Sequence, residues 1–482
     1  MKLKKLKEFL GQYRFFDTLM HTKNYFGSYL FIAALGVFSL PVYTHYLSPA
    51  EYGIVEVFAS LVKAIIIISI LNAHTSVGRY YYAEKENFKE FLGSAMVVIT
   101  ASVTLCFVVL WFTSDFIFDI LNLPKDLKGF LFPAVVAGVL FAVFNQIFVP
   151  RKKSKKVAYA QSIWALGSFL FAIIFIWWLN PNYFGKVAGS TAFMGLLGVY
   201  FAFSILQELK LNFSWNHVKY IFWIGLPLLP TALSGFILSY LDQFFIIASE
   251  GQEDVGLYSF AYKIGMLLFG FNAAIYNATL PDFFKWKNRN EIEEIKSQEK
   301  SMMRFMVLAA GFLVLFASEL GRILSSQDDY TVALHLVPVI VCGYLFLGFL
   351  SFYTRTIFHS NKNIYISIAT LLAGIANIVL NFIYIPIYGY EAAAYTTMVS
   401  YLLMLLIGII VTQFVIEGDK PSMLTICRFL FVFVVVFGLG YLINTLSLPP
   451  LADFIYKALI FLALGSFLFW NKIIALINIS KH

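Results

Sequence analysis

Apolar residues run along this chain in blocks of roughly twenty, and short polar segments separate the blocks. A helix of about 20 predominantly apolar residues crosses the hydrocarbon core of a bilayer. That rule places spans near 27–46, 53–75, 92–113, 130–150, 157–179, 186–206 and 220–245. It places the rest near 255–280, 303–321, 331–353, 364–386, 391–414, 425–446 and 453–474. The pattern predicts an all-α integral membrane protein of about fourteen transmembrane helices.

Composition agrees with the pattern. Charged residues make up 13%, against about a quarter in soluble domains. The polar segments alternate in basic content. With the N-terminus inside, the inner segments and their adjoining helix ends hold 28 of the 35 Lys and Arg residues. Only Lys125, Lys128, Lys186 and Arg322 fall outside, and Lys63, Lys263 and Lys457 fall within spans. By the positive-inside rule both termini are cytoplasmic. The net charge of +8 is thereby matched to anionic membrane lipids and not to nucleic acid. Residues 1–26 lack a small-residue cleavage site and read as a basic cytoplasmic arm, not a signal peptide. Cys106, Cys342 and Cys427 all sit in apolar runs, a pattern that makes neither a disulfide framework nor a metal site.

A weak internal repeat organises the spans. Glu51-Tyr-Gly-Ile-Val opens the second span, and Asp254-Val-Gly-Leu-Tyr opens the eighth, 203 residues later. Gly185-Lys-Val-Ala-Gly-Ser-Thr matches Gly389-Tyr-Glu-Ala-Ala-Ala-Tyr at an offset of 204, as does Arg151 with Arg355. Six spans per copy insert the same way up, which predicts two pseudo-symmetric lobes with a transport pathway between them. The expected organisation is an arm (1–26), an N-lobe (27–206), a cytoplasmic linker (207–219) and a C-lobe (220–414). Two extra C-terminal spans (425–474) and a cytoplasmic tail (475–482) follow.

Several segments resemble the polysaccharide-export (Wzx-type, O-antigen) flippases of the MATE-like MOP exporter superfamily. Tyr46-Leu-Ser-Pro-Ala-Glu-Tyr-Gly-Ile-Val is similar to the family's signature between its first two helices. Ser239-Tyr-Leu-Asp-Gln-Phe-Phe-Ile-Ile and Val255-Gly-Leu-Tyr-Ser-Phe-Ala-Tyr-Lys-Ile resemble its seventh and eighth helices. Asn377-Ile-Val-Leu-Asn with Ile385-Pro-Ile-Tyr-Gly-Tyr-Glu resembles its eleventh-to-twelfth turn. Gln243 departs from the pattern, since a basic residue commonly follows the aspartate there. The resemblance implies a two-lobed bundle in the bacterial inner membrane. It implies alternating access that moves an undecaprenyl-diphosphate-linked oligosaccharide, with other polysaccharide-assembly proteins as candidate partners.

Charges inside spans are the candidate chemistry, because each costs roughly 2.5–3.5 kcal/mol at the bilayer centre. At 100° per residue Glu56, Ser60, Lys63 and His74 project onto one helix face. That stripe reads as a cavity lining in which Lys63 attracts phosphates, or as a Glu56–Lys63 pair between helices. Lys263 lies on an equivalent face of the eighth span and reads as a second phosphate-binding cation or a snorkelling lysine. Arg79, Arg151 and Arg355, each near the inner end of a span, are entrance cations or topology markers. Asp242 is a candidate carrier of a coupling proton or sodium ion, or a partner for Lys263. Asn377 and Asn381 make a polar stripe that glues helices or meets sugar. Pro41, Pro227 and Pro230 interrupt the first helix of each copy, as gating bends or packing kinks.

No Walker-type loop, paired-His site or Gly-x-Ser-x-Gly elbow is present in the sequence. The reading is therefore a transporter with no catalytic residues, no metal and no cofactor beyond a coupling H⁺ or Na⁺. Competing functions are a cation-coupled multidrug exporter of the same fold, a lipid II flippase, and a membrane glycosyltransferase or polymerase. The last would need acidic catalytic residues in a larger outer loop than this chain offers.

Overall fold

The computed structural model describes residues 14–151, 153–179, 182–446 and 449–479, and no side chain of 14–26, 29–30 or 471–479. The expected basic arm lies outside the described residues up to residue 13, as does the end of the expected tail, 480–482. Among the described residues every regular element is helical. Twelve helices are long and apolar enough to cross a membrane. Ile292–Leu315 and Ala317–Leu324 together are long and apolar enough but are bent by 68° at their junction, as in a broken span or a re-entrant loop, and Phe31–Tyr46 is a shorter apolar stretch. Each predicted span coincides with one of these segments.

Two compact units partition the chain. The first runs to Ser259 and adds Ile378–Tyr390; the second holds Phe260–Asn377 and the chain from Glu391 onward. The expected linker 207–219 and the helix after it therefore belong to the first unit. Its helices are α1 (Arg14–Tyr46), α2 (Pro49–Ile70), α3 (Ala73–Ala83), α4 (Phe88–Ile120) and α5 (Lys128–Phe148). After these come α6 (Ser154–Trp178), α7 (Tyr183–Leu206), α8 (Trp215–Phe236) and α9 (Asp242–Ser249). Helix α6 packs along α7 and α1, α5 packs against α7 and α2, and α3 against α8. Helix α10 (Gln252–Gly265) runs from the first unit into the second.

Local chemistry sets the ends of α2. Ser48 and Glu51 form a reciprocal capping box, and Pro49 occupies the first turn, where its missing N–H costs nothing. The helix stops because Leu71 and Asn72 adopt φ of 50° and 56°, the left-handed conformation that ends helices. The predicted span 53–75 is thus two helices. His74 opens the second, so it does not continue the stripe of Glu56 and Lys63: helical projection fails beyond Ile70.

The segment after α7 is strapped to the start of α4. The Lys210 N–H donates to the Lys89 carbonyl (2.9 Å), and Lys210 Nζ and Asn212 Nδ2 both reach the Glu90 carboxylate (2.7 and 2.8 Å). Past this strap, α8 carries Pro227 and Pro230 and passes through one π-helical turn, Ile237–Leu241, into α9. Prolines remove helix hydrogen bonds, and π-turns re-aim the side chains they carry.

The second unit is built around α12 (Ile292–Leu315), which packs against α11 (Leu267–Asn288) and α14 (Val337–His359). The same helix receives α17 (Met423–Thr445) and α18 (Pro450–Ile479), so the last two spans dock on it. Ring pairs Phe312–Phe461 and Phe316–Phe454 make that contact, with Lys457 ion-paired to Glu319 (2.9 Å) and Asp453 (2.8 Å). Helix α15 (Ile364–Tyr388) reaches from the second unit into the first, and α16 (Tyr390–Phe414) follows Gly389 at φ 70°. Two helices run past the predicted spans. The helix of the ninth span begins at Ile292, its charged first turns extending it ahead of the apolar run at 303. The tenth ends at His359, not 353, which places Arg355 inside the helix.

Candidate functional site

Lys63 stands in the middle of α2. Much of that helix is buried, but Glu56, Ala59 and Lys63, spaced three to four residues apart, remain accessible, as do Ala64, Ile66, Ile67 and Ile68 in the following turn, with Lys63 exposed. Its ammonium makes no ion pair and no hydrogen bond among the described residues. It sits 3.9 Å from the ring centre of Tyr240, on the π-turn. The expected Glu56–Lys63 pair therefore does not form. Ser60, projected beside Lys63, is buried instead and donates to Gln243 Oε1 (2.6 Å).

Behind this face lies a closed polar network. Gln243 passes the chain of hydrogen bonds on to Ser259 Oγ (3.2 Å). Next to it Asp242, 2% exposed, accepts from Tyr258 Oη (2.7 Å) and Asn381 Nδ2 (2.7 Å). Three helices, α9, α10 and α15, thus meet on one carboxylate. Asn377, four residues before Asn381, is also fully buried and donates to Thr397 Oγ1 (3.2 Å). Both asparagines serve helix–helix contacts.

The other candidate cations contrast with Lys63. Arg355 is wholly enclosed: Nη2 donates to Glu299 (2.8 Å), Nη1 to Gln298 (3.2 Å), and Phe283 lies against the guanidinium (4.4 Å). Its assignment as an entrance cation is therefore corrected to an internal ion pair. Arg151 pairs with Glu208 (2.6 Å) and lies over Phe88 (4.7 Å). Glu208 feels two opposed influences. Burial pushes its carboxyl up, but the hydrogen bond and charge of Arg151 outweigh this and hold it below the ordinary carboxylate range. Lys263 is half-buried in the last turn of α10 and is not without a partner. Arg79 is exposed on α3 with no ionic partner among the described residues. His74 is partly buried, and its Nδ1 has no hydrogen-bond partner.

Residues 23–287 match the family described as polysaccharide biosynthesis protein. The chain belongs to that family. The matched stretch holds Lys63, Tyr240, Asp242 and Gln243, whereas Arg355, Asn377 and Asn381 lie beyond it. A stretch of 175 residues is 23% identical to the probable low-salt glycan biosynthesis flippase Agl15 of Haloferax volcanii. That alignment covers 36% of this chain and 37% of Agl15, so it spans little more than a third of the relative's length.

Among solved structures, this polysaccharide biosynthesis protein is similar to the lipid II flippase MurJ in its inward closed conformation. The TM-score is 0.75 at 16% identity, over 94% of this chain and all of that one. An inward-facing MATE family multidrug transporter of the MOP superfamily gives 0.59 at 15%, covering 80% of this chain and 94% of the transporter. The Vibrio cholerae MATE transporter VcmN gives 0.55 at 15%, covering 82% and 97%. At these identities the likeness is one of fold. It bears out the expected MATE-like architecture, and the family membership bears out the resemblance to polysaccharide flippases.

Sequence reasoning named Lys63 but missed Tyr240, which was present within a quoted motif. An aromatic three residues before a buried Gln and two before a buried Asp gives no sign of facing a lysine, because the π-turn that aims it has no sequence signature. Gln243 also acquires a role: this side chain bonds two buried serines, Ser60 and Ser259.

Proposed function

We propose that this protein is a flippase that moves a polyprenyl-diphosphate-linked oligosaccharide, an O-antigen or capsule repeat unit, from the cytoplasmic to the outer leaflet of the bacterial inner membrane by alternating access. The observation that carries the reading is the unpaired, exposed ammonium of Lys63 at mid-span. Facing lipid it would cost roughly 2.5–3.5 kcal/mol, whereas facing a water-filled path it presents a cation to a passing diphosphate. Phosphate oxygens are stronger partners for an ammonium than the aromatic face it now rests on.

The family and the match to Agl15 support a glycan-carrying lipid as cargo. The fold shared with MurJ supports a polyprenyl diphosphate, the part that such lipids have in common. Lys263 is a second candidate contact, and Arg79 a candidate for headgroup capture at the cytoplasmic side. Asp242 is the candidate for a coupling H⁺ or Na⁺, being a buried carboxylate at which three helices meet. The reading takes both termini as cytoplasmic, on the positive-inside rule.

The test is transbilayer movement of a short undecaprenyl-diphosphate oligosaccharide in proteoliposomes, with lipid II alongside, for wild type, Lys63→Ala and Lys263→Ala. Flipping of the oligosaccharide that Lys63→Ala abolishes supports the reading. Flipping of lipid II alone moves the cargo to the peptidoglycan precursor. No flipping, together with ion-driven efflux of cationic drugs, replaces the reading with an exporter.

A further inference from the structure

We infer that Tyr240 is a sugar platform uncovered by the substrate itself, so that this residue, and not the phosphate-binding cation, makes the protein prefer a glycosylated lipid to a bare one. The inference rests on the flippase reading and deepens it. Lys63 and Tyr240 belong to the same unit, on α2 and on the π-turn that follows α8. The ammonium covers the face of the ring at 3.9 Å from its centre. Phe236, one turn back, supports the ring at 5.6 Å and a tilt of 33°. The Tyr240 ring is half-buried, and its hydroxyl has no hydrogen-bond partner among the described residues. A tyrosine kept only for packing would ordinarily bury its ring or bond its hydroxyl. This one does neither, and its other notable contact is with a cation that is itself unpaired.

The ammonium and the ring face it covers thus occupy each other. A diphosphate that takes the ammonium draws it off the ring, since a charge-assisted hydrogen bond is stronger than a cation–π contact at an accessible site. The ring face then lies beside the phosphates, where the first sugar of a diphosphate-linked glycan is attached. Pyranose rings present a face of C–H groups that packs on an aromatic ring, and the unbonded phenol is left to meet a sugar hydroxyl. The ligand class that fits is a pyranose joined directly to a diphosphate. A bare polyprenyl diphosphate would satisfy Lys63 and leave Tyr240 uncovered.

The experiment measures binding of detergent-solubilised full-length protein to undecaprenyl diphosphate and to undecaprenyl diphosphate bearing one N-acetylhexosamine. Wild type, Tyr240→Phe, Tyr240→Leu and Lys63→Ala are compared. Tyr240→Leu is expected to lower affinity for the glycosylated lipid about 10-fold and to leave the bare lipid unchanged. Tyr240→Phe keeps most of the preference, and Lys63→Ala weakens both lipids. An equal loss for both lipids in Tyr240→Leu, with Tyr240→Phe normal, would show that the ring merely seats Lys63 and would overturn the inference. An unchanged preference in Tyr240→Leu would overturn it too. Wild type that binds neither lipid would instead bring down the flippase reading, and this inference with it.

Discussion

Gly53 on α2 and Gly256 on α10 pack backbone to backbone in a reciprocal contact. A Cβ on Gly53 would lie 1.9 Å from the Gln252 carbonyl oxygen, and one on Gly256 would lie 1.8 Å from that of Pro49. Gly53 and Gly256 are 203 residues apart, as are Pro49 and Gln252, and 203 is the offset of the internal repeat. The repeated Tyr/Val-Gly motifs therefore meet each other, and the glycines are what allow two helix starts to approach so closely. The obstacle on each side is main chain, which has no rotamer to change. Gly53→Ala and Gly256→Ala are each expected to destabilise the protein by about 1–3 kcal/mol, the range for overpacking. Gly36→Ala, where no atom lies within 4 Å of the added carbon, should leave stability unchanged. Thermal unfolding in detergent checks this, and alanine variants as stable as wild type would refute the contact.

Arg355 and Glu299 make a prediction of opposite logic. Each charge is enclosed, at 0% and 6% side-chain exposure, so removing one strands the other. Breaking such a pair typically costs about 3–5 kcal/mol, whereas replacing both by apolar groups is often neutral. Arg355→Met alone should fold poorly, and Arg355→Met with Glu299→Leu should recover most of the loss. Size-exclusion profiles and melting temperatures of the three proteins decide it. A double variant no better than the single one would mean that the pair does more than neutralise charge.

The spans and the mid-span lysine were legible in the sequence, because each depends on composition within one window. Pairing was not. Arg355 reads in the sequence as an entrance cation or a topology marker because its partner, Glu299, lies 56 residues earlier, in a charged stretch that looks like a loop. His74 was placed on the Lys63 stripe by a projection that assumes an unbroken helix, and two left-handed residues at 71 and 72 defeat it. Ser60 and Gln243 are 183 residues apart, and neither has a local feature that announces the other. Tyr240 escaped for a third reason: one π-turn rotates it toward Lys63, and such turns leave no residue pattern behind.

Asp242 joins α9, α10 and α15 through one carboxylate, so its charge state and its packing role separate under substitution. Asp242→Asn keeps the volume and one acceptor oxygen, but turns an amide N–H toward either Tyr258 or Asn381. The lost acceptor should destabilise the fold by about 1–3 kcal/mol, the cost of an unsatisfied buried group. If the carboxylate also carries the coupling ion, the same variant flips substrate at a rate independent of the imposed proton or sodium gradient. Proteoliposome flux measured with and without each gradient tests this. A variant that keeps the full gradient response excludes Asp242 from coupling.

The Arg151–Glu208 pair sets a pH dependence whose sign is fixed by the shift. Glu208 is held below its ordinary value of 4.5, because the guanidinium's hydrogen bond and charge outweigh the upward push of burial. A depressed carboxyl pKa means that the unfolded chain binds the proton more readily than the folded one. The stabilisation is therefore complete above that ordinary value and is lost as pH falls through the lower, folded one. Both side chains are partly accessible, at 14% and 19%, so the contribution is at most about 1 kcal/mol. The gap in melting temperature between wild type and Glu208→Gln should be constant from neutral pH down to about pH 5 and close below it. Arg151→Gln should show the same closing gap, since it removes the other half of the same pair. A gap that widens in acid would mean that Glu208 is stabilised in its protonated form, and that Arg151 is not its dominant partner.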